Sequence, residues 1–378
     1  MKLKNSPKLL LLISLLFTGV FSATTYWIGI KHSEMLSSEN SNKWSNIDIV
    51  LEHLANNYVD SLEIEKLSEN SINNILKDLD PHSSYIPANQ RQRLNESLVG
   101  HFGGIGIRFM IYNDTLTVVD VINGGPSESV NINKRDRIIT IDDENVAGVN
   151  LTNEDVLKKL KGVVGSAVKL SILKPNKNIE IKNIIRGSIP LKSIPAFTML
   201  KNEIGYIKIS SFSNSTDIEF KKALNILIEK GMKSLILDLR FNGGGYLHQA
   251  INVADEFLKK NKLIVYTEGA HSKKRTFFSR SEGLFENGKL IILVNSSTAS
   301  ASEIVSGAIQ DNDRGLILGR RTFGKGLVQQ PLLLPDSSEL RITTSRYYTP
   351  SGKCIQKPYG DTIDSVSYTH LRAHETCT

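Results

Sequence analysis

Cysteine is scarce. The 378 residues hold two, Cys354 and Cys377, and a structural disulfide between them is not expected. No lysine or arginine block is long enough to form a nucleic-acid-binding arm. The net charge of +7 therefore reads as a solvated basic surface, with no nucleic-acid partner. No HExxH or comparable cluster accompanies the histidines, so His82 reads as part of a turn and no metal site is expected. No serine stands in Gly-x-Ser-x-Gly, so the nucleophile elbow of the α/β-hydrolases is absent. His248, after a glycine run, then reads as a surface or helix-capping residue. Gly319 to Lys325 has the spacing of a phosphate loop, but Gly326 stands where Ser or Thr must hold magnesium. Neither nucleotide nor any other cofactor is implied. What remains is an ordinary globular composition, 40% apolar and 22% charged, in a chain long enough for two or three domains.

Lys2, Lys4 and Lys8 precede an uncharged stretch, residues 9–30, whose 22 positions are enough to cross a bilayer. A positive start followed by an apolar segment is an export signal. No clean small-x-small site follows, Val20-x-Ser22 being the nearest, so an uncleaved membrane anchor is favoured over a cleaved signal. Lysines ahead of the span place the remainder outside the cytoplasm, in the periplasm or anchored at the inner membrane.

The most informative stretch is 295–329. A run of hydroxyl residues (Ser296, Ser297, Thr298, Ser300, Ser302) follows an apolar strand at 290–294 and leads into a helix near Ala301. A second strand, 316–318, leads into Gly324-Lys325-Gly326. A serine at a strand-to-helix turn can present its hydroxyl where backbone N–H groups are unpaired. A desolvated lysine on a glycine-flanked loop can lose its proton and act as a base. Together they suggest a Ser/Lys hydrolase.

Elsewhere, 41–96 looks helical, with Asp80-Pro81 ending its second segment. Strand-like runs at 115–121, 137–141 and 167–173 and an amphipathic helix at 153–160 follow the glycine-apolar stretch Gly104, Ile105, Gly106, Ile107. Residues 174–195, polar and proline-containing, read as an exit and linker. An α/β pattern then begins: an alternating strand around Ile207 and Ile209, a helix at 217–230 capped by Ser215 or Thr216 and by Gly231, and a strand at 235–239. That strand runs into Asp238-Leu239-Arg240-Phe241-Asn242-Gly243-Gly244-Gly245. A helix at 247–259 and strands at 263–267 and 340–348 complete the pattern.

Ser300-Ala301-Ser302-Glu303 followed by Thr322-Phe323-Gly324-Lys325-Gly326-Leu327-Val328-Gln329 resembles the C-terminal processing peptidases, or tail-specific proteases. The runs 79–85, 238–245 and 348–352 are similar to that family as well. The resemblance implies a nucleophile and a general-base lysine 25 positions apart, which selects Ser300 with Lys325 over Ser297 and Ser302. It implies that Gln329 orients the lysine, that Glu303 is the acidic residue near the site, and that Gly244 and Ala301 N–H groups form an oxyanion hole. The short strands and helix resemble a PDZ domain, in which Gly104, Ile105, Gly106 and Ile107 would bind a substrate C-terminus by strand addition. One departure is Arg135-Asp136, where the family has Gly-Asp, which puts the local turn in question.

The implied fold is an α/β protease core, a crotonase-like spiral, with an inserted PDZ-like domain and an N-terminal helical segment. The division expected is 1–30 anchor, 41–96 helical region, 99–186 PDZ-like domain and 187–360 peptidase core. Expected partners are protein substrates with accessible C-termini and, through the N-terminal segment, a membrane; a homo-oligomer is compatible. A non-catalytic PDZ-type scaffold is the alternative. Residues 366–378 break the resemblance and resemble a translated sequencing-adapter read-through, so they are expected to be non-native, with no role for His370, His374 or Cys377.

Overall fold

The computed structural model describes residues 45–280 and 282–358. The anchor expected at 1–30 and the doubtful tail at 366–378 lie outside the described residues. Among the described residues no helix is long and apolar enough to cross a membrane.

The described residues from 45 to Leu79 form a unit of their own, with helices Ser45–Asn57 and Ile64–Lys77. Ile47, Val50, Leu51, Leu54 and Leu67 line one apolar groove within it, as their helical spacing predicts. The expectation of helix throughout 41–96 needs correction. Ser84–Ile86 is a strand, and a third helix, Ala88–Val99, follows it. Both belong to the second unit, which begins at Asp80.

That unit contains two separate hydrophobic cores. The first belongs to an antiparallel sheet of Ile107–Ile111, Leu116–Val121, Arg137–Ile141, Ala167–Leu173 and Ile179–Ile185, with Glu144–Asn145 beside the third strand. Alternate residues point inward: Leu116, Val118, Ile138, Val168, Leu170 and Ile172 are buried there with Val156 and Leu160 of the helix Asn153–Leu160. Thr152 caps that helix reciprocally with Asp155, a capping box. Among the described residues Ile107–Ile111 has one neighbour only and forms a sheet edge.

Two expectations change here. Residues 174–195 are not a linker: Ile179–Ile185 pairs along its whole length with Ala167–Leu173, and Gly187–Pro190 pairs with His101–Gly104. Ile179, Ile181 and Ile185 are exposed, which hides the strand from an inward-periodicity reading. The turn at Arg135-Asp136 survives the loss of glycine. Arg135 adopts φ +73, and the fully buried Asp136 accepts the Asn133 N–H (2.8 Å) and the Lys174 ammonium (2.8 Å).

The second core lies around a five-stranded sheet, in spatial order Ala196–Met199, Ile204–Lys208, Ser234–Asp238, Lys289–Val294 and Leu316–Gly319. The first pair is antiparallel and the other three pairs are parallel. Helices Thr216–Glu229, Leu247–Asp255 and Ala301–Asp311 bury their apolar faces against it. Phe220, Leu224, Val253, Val305 and Ile309 join Ile207, Leu237 and Ile292 in the core. The helix expected at 247–259 stops at Asp255. A further sheet joins Ser84–Ile86, Glu339–Tyr348, Leu263–Gly269 and Ser272–Phe278, with Leu327–Leu333 on the free flank of Glu339–Tyr348.

Candidate active site

In a parallel sheet the carboxyl ends of the strands share one rim, where loops converge. Three strands, Ser234–Asp238, Lys289–Val294 and Leu316–Gly319, end side by side. The loops leaving them carry the glycine run, the hydroxyl run and Lys325. Gly244, Ser300 and Lys325, successively 56 and 25 positions apart in sequence, are gathered by this topology.

The glycine turn is wired from inside. Asn242 is fully buried; its amide donates to the Ile209 carbonyl (3.0 Å), and its own carbonyl accepts Ala299 N–H (3.0 Å) and Ser302 Oγ (3.1 Å). Asp238, at the strand end, accepts Arg240 Nη2 (2.7 Å) and the Tyr206 hydroxyl (2.8 Å). Burial alone would push its carboxyl up, but these bonds outweigh it and hold the group down at about 2. Gly244 has φ +101, and a side chain there would stand 2.7 Å from Ser300 Cβ and 3.0 Å from Ala301 N. Only glycine lets the turn lie against the serine loop.

Ser300 closes the hydroxyl loop at φ +54, ψ −116, a conformation that costs a non-glycine residue about 1–3 kcal/mol. It is half-buried and immediately precedes the helix Ala301–Asp311. Ala301, first in that helix, has no intrahelical acceptor for its N–H. Surrounding bonds, among them that from its N–H to Glu303, hold the serine in this conformation at the positive end of the helix.

Glu303 binds the serine loop to the lysine loop. It is buried, and its Oε2 accepts the Ser300 N–H (2.8 Å) and the Lys325 N–H (2.9 Å), while Oε1 accepts the Gly324 N–H (2.7 Å). Burial raises its pKa, and bonds from Thr322, Gly324, Lys325 and Ser300 pull the other way. Lys325 donates through Nζ to Gln329 Oε1 (2.8 Å). Burial lowers its pKa, the Arg341 guanidinium lowers it further, and Asp80 opposes them. A lysine so placed sheds its proton more readily than one in water.

Gly244, Ser300 and Lys325 therefore lie on adjoining loops of one rim, with Ala301 and Glu303 in the helix that follows the serine and Gln329 in the strand Leu327–Leu333 that follows the lysine. The Gly244 N–H rests on Asn242 Oδ1 (2.9 Å) in this state, so it is already engaged. Gly104 ends the strand His101–Gly104, Ile105 and Gly106 turn the chain, and Ile107 opens the edge strand Ile107–Ile111. His248 is exposed and lies near the Tyr246 ring, 5.3 Å between centroids. Among the described residues no His/Cys/Asp/Glu group could hold a metal. The sequence reading missed two parts of this neighbourhood. The His82 carbonyl, in a turn held by Asp80, accepts from the Gln329 side chain, and Asn242 wires the glycine turn.

The model of peptidase family S41 matches residues 203–364, and that of the PDZ domain matches 103–184. The carboxy-terminal-processing protease of Bartonella bacilliformis is 35% identical over 313 residues, covering 81% of this chain and 71% of that protein. The chain belongs to peptidase family S41. A second member, the carboxy-terminal processing protease CtpA of Bacillus subtilis, is 31% identical over 360 residues, 94% of this chain and 76% of its own length. Among solved structures, a photosystem II D1 C-terminal processing protease aligns over 81% of this chain and 88% of its own, at 26% identity and a TM-score of 0.47. This S41 member is thus a serine-type peptidase with a PDZ domain.

Proposed function

We propose that this peptidase cuts proteins near their C-termini outside the cytoplasm, through Ser300 as nucleophile and Lys325 as general base. One observation carries the reading: a single buried carboxylate, Glu303, gathers the N–H groups of Ser300, Gly324 and Lys325, with the Lys325 amine on Gln329. Neutral Lys325 takes the Ser300 hydroxyl proton as Oγ attacks the scissile carbonyl. The oxyanion receives the Ala301 N–H and, once turned from Asn242, the Gly244 N–H. Each donor is worth about 3–4 kcal/mol to the transition state. The lysinium then returns its proton to the leaving amine, and water hydrolyses the acyl-enzyme by the same route in reverse. No cofactor enters.

The open edge Ile107–Ile111 with the turn at Gly104, Ile105 and Gly106 supports capture of a substrate C-terminus by strand addition. In this reading 99–186 is the recognition domain, and 187–360 is the catalytic core, a crotonase-like spiral. The helices Ser45–Asn57 and Ile64–Lys77 belong to an N-terminal helical region, a candidate surface for self-association. Residues 1–30 export the chain and anchor it in a membrane, on the strength of their charge and length. Wild type and Ser300→Ala are to be compared on a peptide with an apolar free C-terminus. We expect cleavage by the wild type alone; equal cleavage by both would return the chain to the scaffold class.

A further inference from the structure

Gln329 is useful to a base only if its amide faces the right way. Its Oε1 accepts from Lys325 Nζ, and its Nε2 donates to the His82 carbonyl. A carbonyl can only accept, so this second bond fixes the amide: a flip would set oxygen against oxygen and turn the NH2 toward the lysine. The orientation of the group that holds Lys325 is therefore decided by a peptide more than 240 positions earlier.

That peptide is held in turn. Asp80 Oδ1 accepts the N–H groups of His82 (2.8 Å) and Ser83 (2.8 Å), and its Oδ2 accepts the Ser83 hydroxyl (2.6 Å). Ser83 Oγ accepts the Thr343 N–H (3.2 Å). Strand register brings these pieces together. Ser84 pairs with Arg341 on one side of Glu339–Tyr348, and Gln329 pairs with Thr343 on the other. The ladder slips between Val328 and Gln329, an irregularity of the kind that re-aims a side chain.

We propose that Asp80 is a positioning residue of the reaction, holding the His82 carbonyl so that Gln329 presents its oxygen to Lys325. This rests on the reading of Lys325 as the base. Asp80 also supplies charge. Burial would raise its pKa, but the Ser83 and His82 bonds hold it below the usual carboxylate range, so it is ionised at neutral pH. Around Lys325 it opposes Arg341 of Glu339–Tyr348, which lowers the lysine pKa, and His82 and Glu303 are the other titratable neighbours.

The test is steady-state peptide cleavage by the full chain across pH, with Asp80→Ala, Asp80→Asn, Gln329→Ala and the double variant Asp80→Ala/Gln329→Ala. Asp80→Ala should lower kcat by about ten- to hundredfold through misplacement of the base, with KM little changed. The midpoint of the rise in kcat should move to lower pH, because a negative charge near the lysine is gone. Asp80→Asn, whose amide oxygen can still accept the turn N–H groups, should recover most of kcat while keeping the moved midpoint. The double variant should be no slower than Gln329→Ala alone, since the two residues act in series. Additive losses, or a uniform loss with the midpoint unmoved, would overturn the proposal. Lys325→Arg is assayed alongside: if it is active, the base assignment itself is wrong, whatever Asp80 does.

Discussion

Removing Glu303 should damage this protein far more than removing an ordinary buried carboxylate. Its two oxygens accept three backbone N–H groups from two loops, those of Ser300, Gly324 and Lys325. Glu303→Ala leaves all three without their acceptor in a closed environment. At about 1–3 kcal/mol for each unmet buried donor, the loss is about 3–9 kcal/mol, against a total stability of about 5–15 kcal/mol for a folded domain. Glu303→Gln separates geometry from charge. An amide oxygen at the Oε2 position keeps Ser300 and Lys325, but the NH2 then meets Gly324 N–H donor to donor. The loss should fall to about 1–3 kcal/mol. Urea unfolding at 25 °C measures both, with slopes compared to confirm that the same surface is exposed. Activity should fall further than stability, because the loops that separate carry Ser300 and Lys325. A Glu303→Ala protein within 1 kcal/mol of wild type would refute the claim that this carboxylate joins the loops.

Three other expectations follow from the same geometry. The base must be neutral, and burial and Arg341 lower the Lys325 pKa, so kcat should rise as pH climbs through a midpoint below the ordinary 10.5. Lys325→Arg, which stays charged, should lose nearly all activity, and a pH-independent kcat would contradict this. Asp238 titrates at about 2 in the folded state against an ordinary 3.8, so it contributes stability above that ordinary value, and the contribution is lost as pH falls through about 2. Thermal melts of Asp238→Asn should accordingly be less stable at neutral pH and less steeply acid-dependent; an unchanged acid limb would remove Asp238 from the account. Amidating the C-terminus of a peptide substrate should weaken its binding to the full chain, measured by calorimetry. Equal affinity would leave Gly104, Ile105, Gly106 and Ile107 as a plain turn.

Local chemistry wrote much of this protein legibly into its sequence. The strand Ala167–Leu173 and the helix Asn153–Leu160 are where periodicity places them, because each buries one face of its own segment. The approach of the glycine run to the serine loop was readable too, since Gly244 occupies a position that a Cβ would block. The pairing of Ser300 with Lys325 came from the family resemblance, and the loops that carry them leave neighbouring parallel strands. Ile179–Ile185 was illegible: Ile179, Ile181 and Ile185 are exposed and only Ile184 enters the core, so its place is set mainly by the backbone ladder with Ala167–Leu173. The Arg135 turn was equally hidden, because the bonds that hold it come from Asp136 and the distant Lys174. Glu303 could be named near the site, but its three donors become apparent only when the loops at 300 and 324 are brought together. The Asp80 turn lies furthest beyond a linear reading. Its contact with Gln329 spans more than 240 positions and is created by the register of two strands on either side of a third. Periodicity and residue type report what a segment does with its own neighbours. Which amide faces the lysine, and which carbonyl holds that amide, depends on strand order, and only the folded chain decides it.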